Sequence, residues 1–170
     1  MQNNNLDQAN NVHLDHAGVD NDTNKHDIKT LNSLIETTLD SADGYAEAAK
    51  IATSDSLVTL FRDRSQERRD VASNLQQGVR RLGGEPEDDG TVLAAAHRMF
   101  ANLRTSLTSN DNKAVVEEVE RGEDHIKAKF EDAMKDTDLS AHTKGIIADV
   151  YTSVRSGHDQ MRDMKRAFNN

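Results

Sequence analysis

Cysteine and tryptophan are both missing from this chain of 170 residues. Without thiols there is neither a disulfide framework nor a thiolate metal site. Aromatic residues make up only 4% of the sequence, and 21 Lys and Arg are outweighed by 30 Asp and Glu, for a formal charge of -9. That balance argues against a nucleic-acid binder; charge of this size mainly favours solubility. No apolar run approaches the roughly 20 residues that a bilayer-spanning helix needs, so no membrane association is expected. The opening stretch MQNNNLDQAN has neither a basic n-region nor an apolar h-region. No secretory signal is read there, and a cytoplasmic protein is expected.

Proline occurs once, at Pro86, and charged residues reach 30%, the composition of a helical protein with solvated outer faces. Residues 1–26 hold seven Asn, four Asp and three His among scattered small apolar residues. Such a segment buries too little surface to offset its ordering entropy, so it is expected to be a disordered tail, with the folded domain spanning 27–170. Within the tail, His13-Leu14-Asp15-His16 has the look of a short chelating motif; a polar tail that happens to contain histidines explains it more simply.

From Asp27 onward the apolar spacing is helical throughout, and no strand pattern appears. Ile28, Leu31, Ile35, Ala42, Tyr45 and Ala49 mark a first helix over about 27–52. A second, opened by Ser54 or Asp55, ends at Gly83-Gly84 with Pro86 just beyond. A shorter helix over about 91–107 uses Phe100 and Leu103. Asn110 or Asp111 caps a fourth to about 135, built on Val119, Ile126 and Phe130. The last starts near Ser140 and uses Ile147, Val150, Val154 and Met161. Short loops make each pair of long helices an antiparallel hairpin, and the stretch 83–110 is long enough to cross from one end to the other. Two hairpins joined by a long crossover carrying a short fifth helix is the ferritin-like four-helix arrangement.

In the di-iron and di-manganese proteins of that architecture, two helices each give a Glu and the other two each give a Glu-x-x-His pair. The residues three before the seven histidines are Asn10, His13, Thr23, Ala94, Gly122, Leu139 and Arg155. None is acidic, so the regular motif is absent. The segment Ala72, Leu75, Val79, Leu82-Gly83-Gly84 and Pro86 resembles the end of the second helix of bacterioferritin. That resemblance places Arg68 at a ligand Glu position, Val71 at its His partner, and Thr38 at the ligand Glu that precedes the tyrosine matched by Tyr45. His158 stands at a ligand His, with Arg155 in the corresponding Glu position. More broadly, LNSLIETTLD, GYAEAA, VRRLGGEPEDDG, AAHRMFANLR and EVERGEDH, in that order, resemble a bacterial ferritin-like four-helix-bundle family of unknown function. The resemblance implies a fold and a bacterial source, and no established reaction, substrate or partner.

At about 100° per residue, Arg64 and Arg68 fall within ~35° of the centre of the second helix's apolar face. Glu123 falls on the stripe of Val119, Ile126 and Phe130, with Glu120 at its edge, and His158 flanks the stripe of the last helix. The expected interior layer is therefore Thr38, Tyr45, Arg64, Arg68, Glu123 and His158, with Arg68 paired to Glu123. Buried charges require partners. Gly44, Gly122 and Gly157 each neighbour one of these residues and are expected to admit a large side chain between helices. The alternative is that the arginines reach to an edge while their stems cover apolar surface.

The reading favours a non-enzymatic protein without a cofactor, structural, interaction-forming or stress-associated by analogy with ferritin-like relatives. A competing reading is a di-iron or di-manganese oxidase or storage protein with an irregular site of Glu120, Glu123 and His158, joined by Glu67 or Glu36. A third is a partner-binding module using the tail or a groove lined by Met99, Phe100 and Leu103. A homodimer is compatible with the architecture, and no particular partner is specified.

Overall fold

A computed structural model describes the backbone of residues 15–90, 93–106 and 111–170, and the side chains of residues 21–90, 97–105 and 111–170. The described residues form five α-helices and no strand: α1 (Asp15–Ile51), α2 (Asp55–Arg81), α3 (Leu93–Ser106), α4 (Asn112–Lys135) and α5 (Ala141–Phe168). No described helix is long and apolar enough to cross a membrane.

The first helix starts at Asp15, well before the expected boundary at 27. The extra turns hold because their last residues find distant partners. Asn24 donates to the Leu82 carbonyl at 3.0 Å, and His26 meets Asp136 at 2.8 Å. Composition alone does not reveal such ties. Residues 1–14 and the side chains of Asp15 and His16 lie outside the described residues, so the His13–His16 motif does too.

The helix ends follow local chemistry. Asp111 caps α4 by accepting from the Ala114 amide, and Ser140 caps α5 by accepting from the Thr143 amide. The end of α2 is a Schellman turn: Gly83 takes a φ of 77°, its N–H donates to the Arg80 carbonyl, and the Gly84 N–H donates to Val79. Only glycine adopts that φ without strain. Ser54 precedes α2 but makes no side-chain cap.

Helices α1 and α2 pack together, as do α4 and α5; α1 also packs on α4 and on α3, and α2 on α5. Cross-helix bonds give the directions. Asn24 meets Leu82 while Ser65 meets Ala42, so α1 and α2 are antiparallel. Glu131 meets Tyr151 while Glu120 meets Lys165, so α4 and α5 are as well.

The core falls into two apolar parts. One gathers Leu31, Ile35, Leu75, Ile126, Phe130 and Ile147. The other gathers Tyr45, Phe61, Phe100, Val115, Val116 and Met161. In every long helix the residues between these two sets include polar side chains, so a polar layer crosses the molecule at mid-height.

Candidate functional site

The polar layer is centred on Arg68, which has no solvent exposure, and Glu123, which has 1%. Arg68 sits on α2 seven residues from Phe61 and from Leu75, so helical phase alone turns it inward. Its Nη2 donates to Glu123 Oε2 at 2.6 Å and its Nε to Oε1 at 3.3 Å. This two-pronged match of guanidinium to carboxylate fixes orientation as well as charge. Longer contacts of 3.4 Å reach the Ser153 and Val154 carbonyls on α5. The Ser41 hydroxyl on α1 donates to Glu123 Oε1 at 3.1 Å. One buried cation thus draws on all four long helices.

Burial by itself would lower the pKa of Arg68, but the charge and hydrogen bonds of Glu123 outweigh it and raise the value. Arg68 is therefore a permanent interior cation. Its guanidinium carbon lies 6.0 Å from the centre of the Tyr45 ring, a loose cation–π contact.

The network continues outward. Ser153 Oγ donates to Glu67 Oε1 at 2.5 Å, and Glu67 Oε2 accepts from Arg64 Nη1 at 2.5 Å. The Gln160 side-chain oxygen accepts from Arg64 Nε at 2.9 Å and Nη2 at 2.7 Å. Arg64 remains 14% exposed, so it closes the edge of the layer while Arg68 fills the centre.

Other expected members sit differently. Thr38 is fully buried, but its hydroxyl donates to the Leu34 carbonyl of its own helix at 2.6 Å and stays out of the network. Tyr45 is buried, yet no described group accepts a hydrogen bond from its hydroxyl. Glu123 stands near enough for its charge to act on the phenol. Burial first, then that charge, hold the Tyr45 pKa well above the usual phenol value. His158 turns from the central pair to Asp124 at 2.9 Å and Asp159 at 3.2 Å.

The irregular metal set is not gathered. Glu120 accepts from Lys165 at 2.7 Å, Glu67 is held by Arg64 and Ser153, Glu123 by Arg68, and Glu36 is half-buried on α1. Among the described residues no group of three or more His, Asp or Glu is arranged to hold a metal ion.

The three glycines divide by role. A methyl group on Gly157 would lie 2.3 Å from Arg68 Nη2 and 2.9 Å from Glu123 Oε2, so this glycine admits the ion pair. Gly44 and Gly122 face open space, with nothing within 4 Å of an added methyl. They do not make room for a packed side chain, contrary to the expectation. Of the groove residues, Met99, 37% exposed, and the buried Phe100 line a cleft between α3, α1 and α4, while Leu103 packs against the core.

Sequence reasoning missed Asp27, which is 1% exposed. It accepts from the Ser140 amide at 3.0 Å, the Ser140 hydroxyl at 2.5 Å and the Thr143 hydroxyl at 2.8 Å. It thereby ties α1 to the start of α5. The signal was available: Asp27 stands four residues before Leu31, on the same face.

Residues 26–136 match the family described as a domain of unknown function, DUF2383. No curated protein matches the chain. The match takes in more than half of the sequence, including Arg68 and Glu123, and the chain belongs to this family.

Proposed function

We propose that this DUF2383-family chain is a ferritin-like four-helix bundle in which a built-in guanidinium stands where carboxylate-bridged relatives hold metal cations. On this reading it is a structural or interaction protein and not an enzyme. Support for the topology comes from the helix directions: α1 opposes both α2 and α4, as His26–Asp136 and Thr53–Asn112 indicate. Helices α2 and α4 therefore run the same way. Two hairpins meet that condition when the connection from α2 to α4 returns along the length of the molecule.

The observation that carries the reading is the Arg68–Glu123 pair, buried at mid-height and shared by all four long helices. A carboxylate-bridged centre requires several carboxylates and imidazoles to converge on a common point. Here Glu67, Glu120, Glu123 and His158 are each engaged by a different neighbour. An irregular iron or manganese site would have to break these bonds and expose Arg68 to a second cation. A bacterial source and a stress-associated role follow only by analogy with ferritin-like relatives.

Elemental analysis of untagged protein, expressed with iron and manganese supplied, tests the proposal. The expected content is far below one ion per chain. Stoichiometric iron or manganese, lost in Glu123→Ala, would overturn it.

A further inference from the structure

Helix α3 is lightly held. Of its described side chains, residues 97–105, Phe100 alone is buried; Leu103 is half-buried and the others are exposed. Among the described helices, α1 is the one it packs on closely. Its polar ties lie at the rim. The His97 ring meets Glu47 of α1 at 3.1 Å, and the Met99 sulfur accepts from Arg121 Nη2 of α4 at 2.9 Å. A helix with so few buried contacts opens locally with ease, so the strength of each rim tie shows in how firmly it stays docked.

Met99 differs from the other described methionines. It is 37% exposed, whereas Met161 is fully buried, and Met134 and Met164 are partly buried against the two parts of the core. An oxidant has to reach a sulfur lone pair, so exposure decides which thioether reacts first. The chain has no cysteine to compete for that oxidant. A cation already faces the Met99 sulfur, because Glu118 holds the Arg121 guanidinium at this edge through Nε and Nη2.

We infer that Met99 is an oxidation site whose sulfoxide fastens α3 to α4 through Arg121. The oxidant is a peroxide. A sulfur lone pair attacks one peroxide oxygen, and the O–O bond breaks as the S–O bond forms. The transferred oxygen gives its proton to the departing hydroxide, which leaves as water. Sulfur is oxidised by two electrons and the peroxide is reduced by two. The inference does not depend on what replaces a metal in the polar layer.

The direction of the effect follows from acceptor strength. A thioether is a weak acceptor, while a sulfoxide oxygen carries partial negative charge and takes a stronger bond from a guanidinium. The five N–H donors of an arginine suffice for both this oxygen and the Glu118 carboxylate. The Arg121 side chain, 65% exposed, has room to shift as the oxygen is added. A sulfoxide in a core disrupts packing, but at this exposed rim no polar oxygen is forced into apolar surroundings. Reduction of the sulfoxide by a dedicated reductase would release the tie.

Graded treatment of the full chain with hydrogen peroxide, followed by peptide mass spectrometry and amide hydrogen exchange, tests both halves of the inference. Met99 should gain one oxygen before Met134, Met161 and Met164. In the oxidised protein, the amides of residues 99–105 should exchange about threefold to tenfold more slowly, the equivalent of one added hydrogen bond. Arg121→Ala, at an exposed position, should still oxidise at Met99 but lose the slowing. Met99→Leu should show neither effect. Oxidation of Met134, Met161 or Met164 as fast as Met99 would overturn the inference. So would unchanged or faster exchange in α3 after oxidation, or the same slowing in Arg121→Ala.

Discussion

Gly157 on α5 makes room for the guanidinium of Arg68 on α2: a methyl group there would come within 2.3 Å of Nη2. The end of an arginine can usually swing aside. This one is clamped to Glu123 at 2.6 Å and enclosed by the α5 backbone. The glycine and the ion pair are therefore one device, in which a small residue on one helix accepts the charged end of a long residue on another.

Gly157→Ala should accordingly destabilise the fold by about 1 to 3 kcal/mol, the usual cost of overpacking. Gly44→Ala and Gly122→Ala should instead stabilise it by up to about 1 kcal/mol, because alanine is the better helix former and neither site is crowded. Urea unfolding of the three variants separates the cases. Similar shifts at all three positions would show that Gly157 has no special task.

Alkaline stability should depend on the two tyrosines. Burial raises the Tyr45 pKa well above 10, and Tyr151 is pushed up to about 12 by burial and its bond to Glu131. Above a pH of about 10 the unfolded chain sheds phenolic protons that the folded chain retains. Folding then binds extra protons, so stability falls as pH rises. Melting temperatures between pH 8 and 12 should drop steeply above about pH 10. The drop should be shallower in Tyr45→Phe and Tyr151→Phe. Parallel curves for all three proteins would contradict the assignment.

Asp27 joins α1 to the first turn of α5 through three accepted hydrogen bonds. Asp27→Ala removes a charged acceptor and strands the buried hydroxyl of Thr143. A loss of about 2 to 4 kcal/mol is expected, since bonds to charged groups contribute roughly 1.5 to 3 kcal/mol and an orphaned donor adds to the cost. Asp27→Asn should recover part of it. Chemical denaturation measures both, and an unchanged midpoint for Asp27→Ala would refute the role.

How much of this was readable from residues alone varied with the distance over which each feature is determined. Helix phase turns Arg68 and Glu123 inward, because each shares a stripe with apolar neighbours three, four or seven residues away. The same arithmetic put Arg64 inside as well, but it lies toward the edge of the layer, where Gln160 and Glu67 meet it. Helix phase puts Thr38 in the interior, where it is found, but does not reveal that its hydroxyl is satisfied within one turn of its own helix. The start of α1 was not legible, since Asn24 and His26 depend on partners 58 and 110 residues away. The cleft was legible in part: Met99 and Phe100 were expected to line a groove and do so, but its α1 and α4 walls depend on where α3 rests.

A double-mutant cycle measures the coupling between Arg68 and Glu123 most directly. Arg68→Met alone, like Glu123→Gln alone, should cost about 3 to 5 kcal/mol, because each strands a buried polar partner. The double variant should lose much less than the sum, giving a coupling of about 2 to 3 kcal/mol from unfolding in urea. Additive losses, with a coupling below about 0.5 kcal/mol, would mean that the two side chains do not depend on each other and would contradict the account.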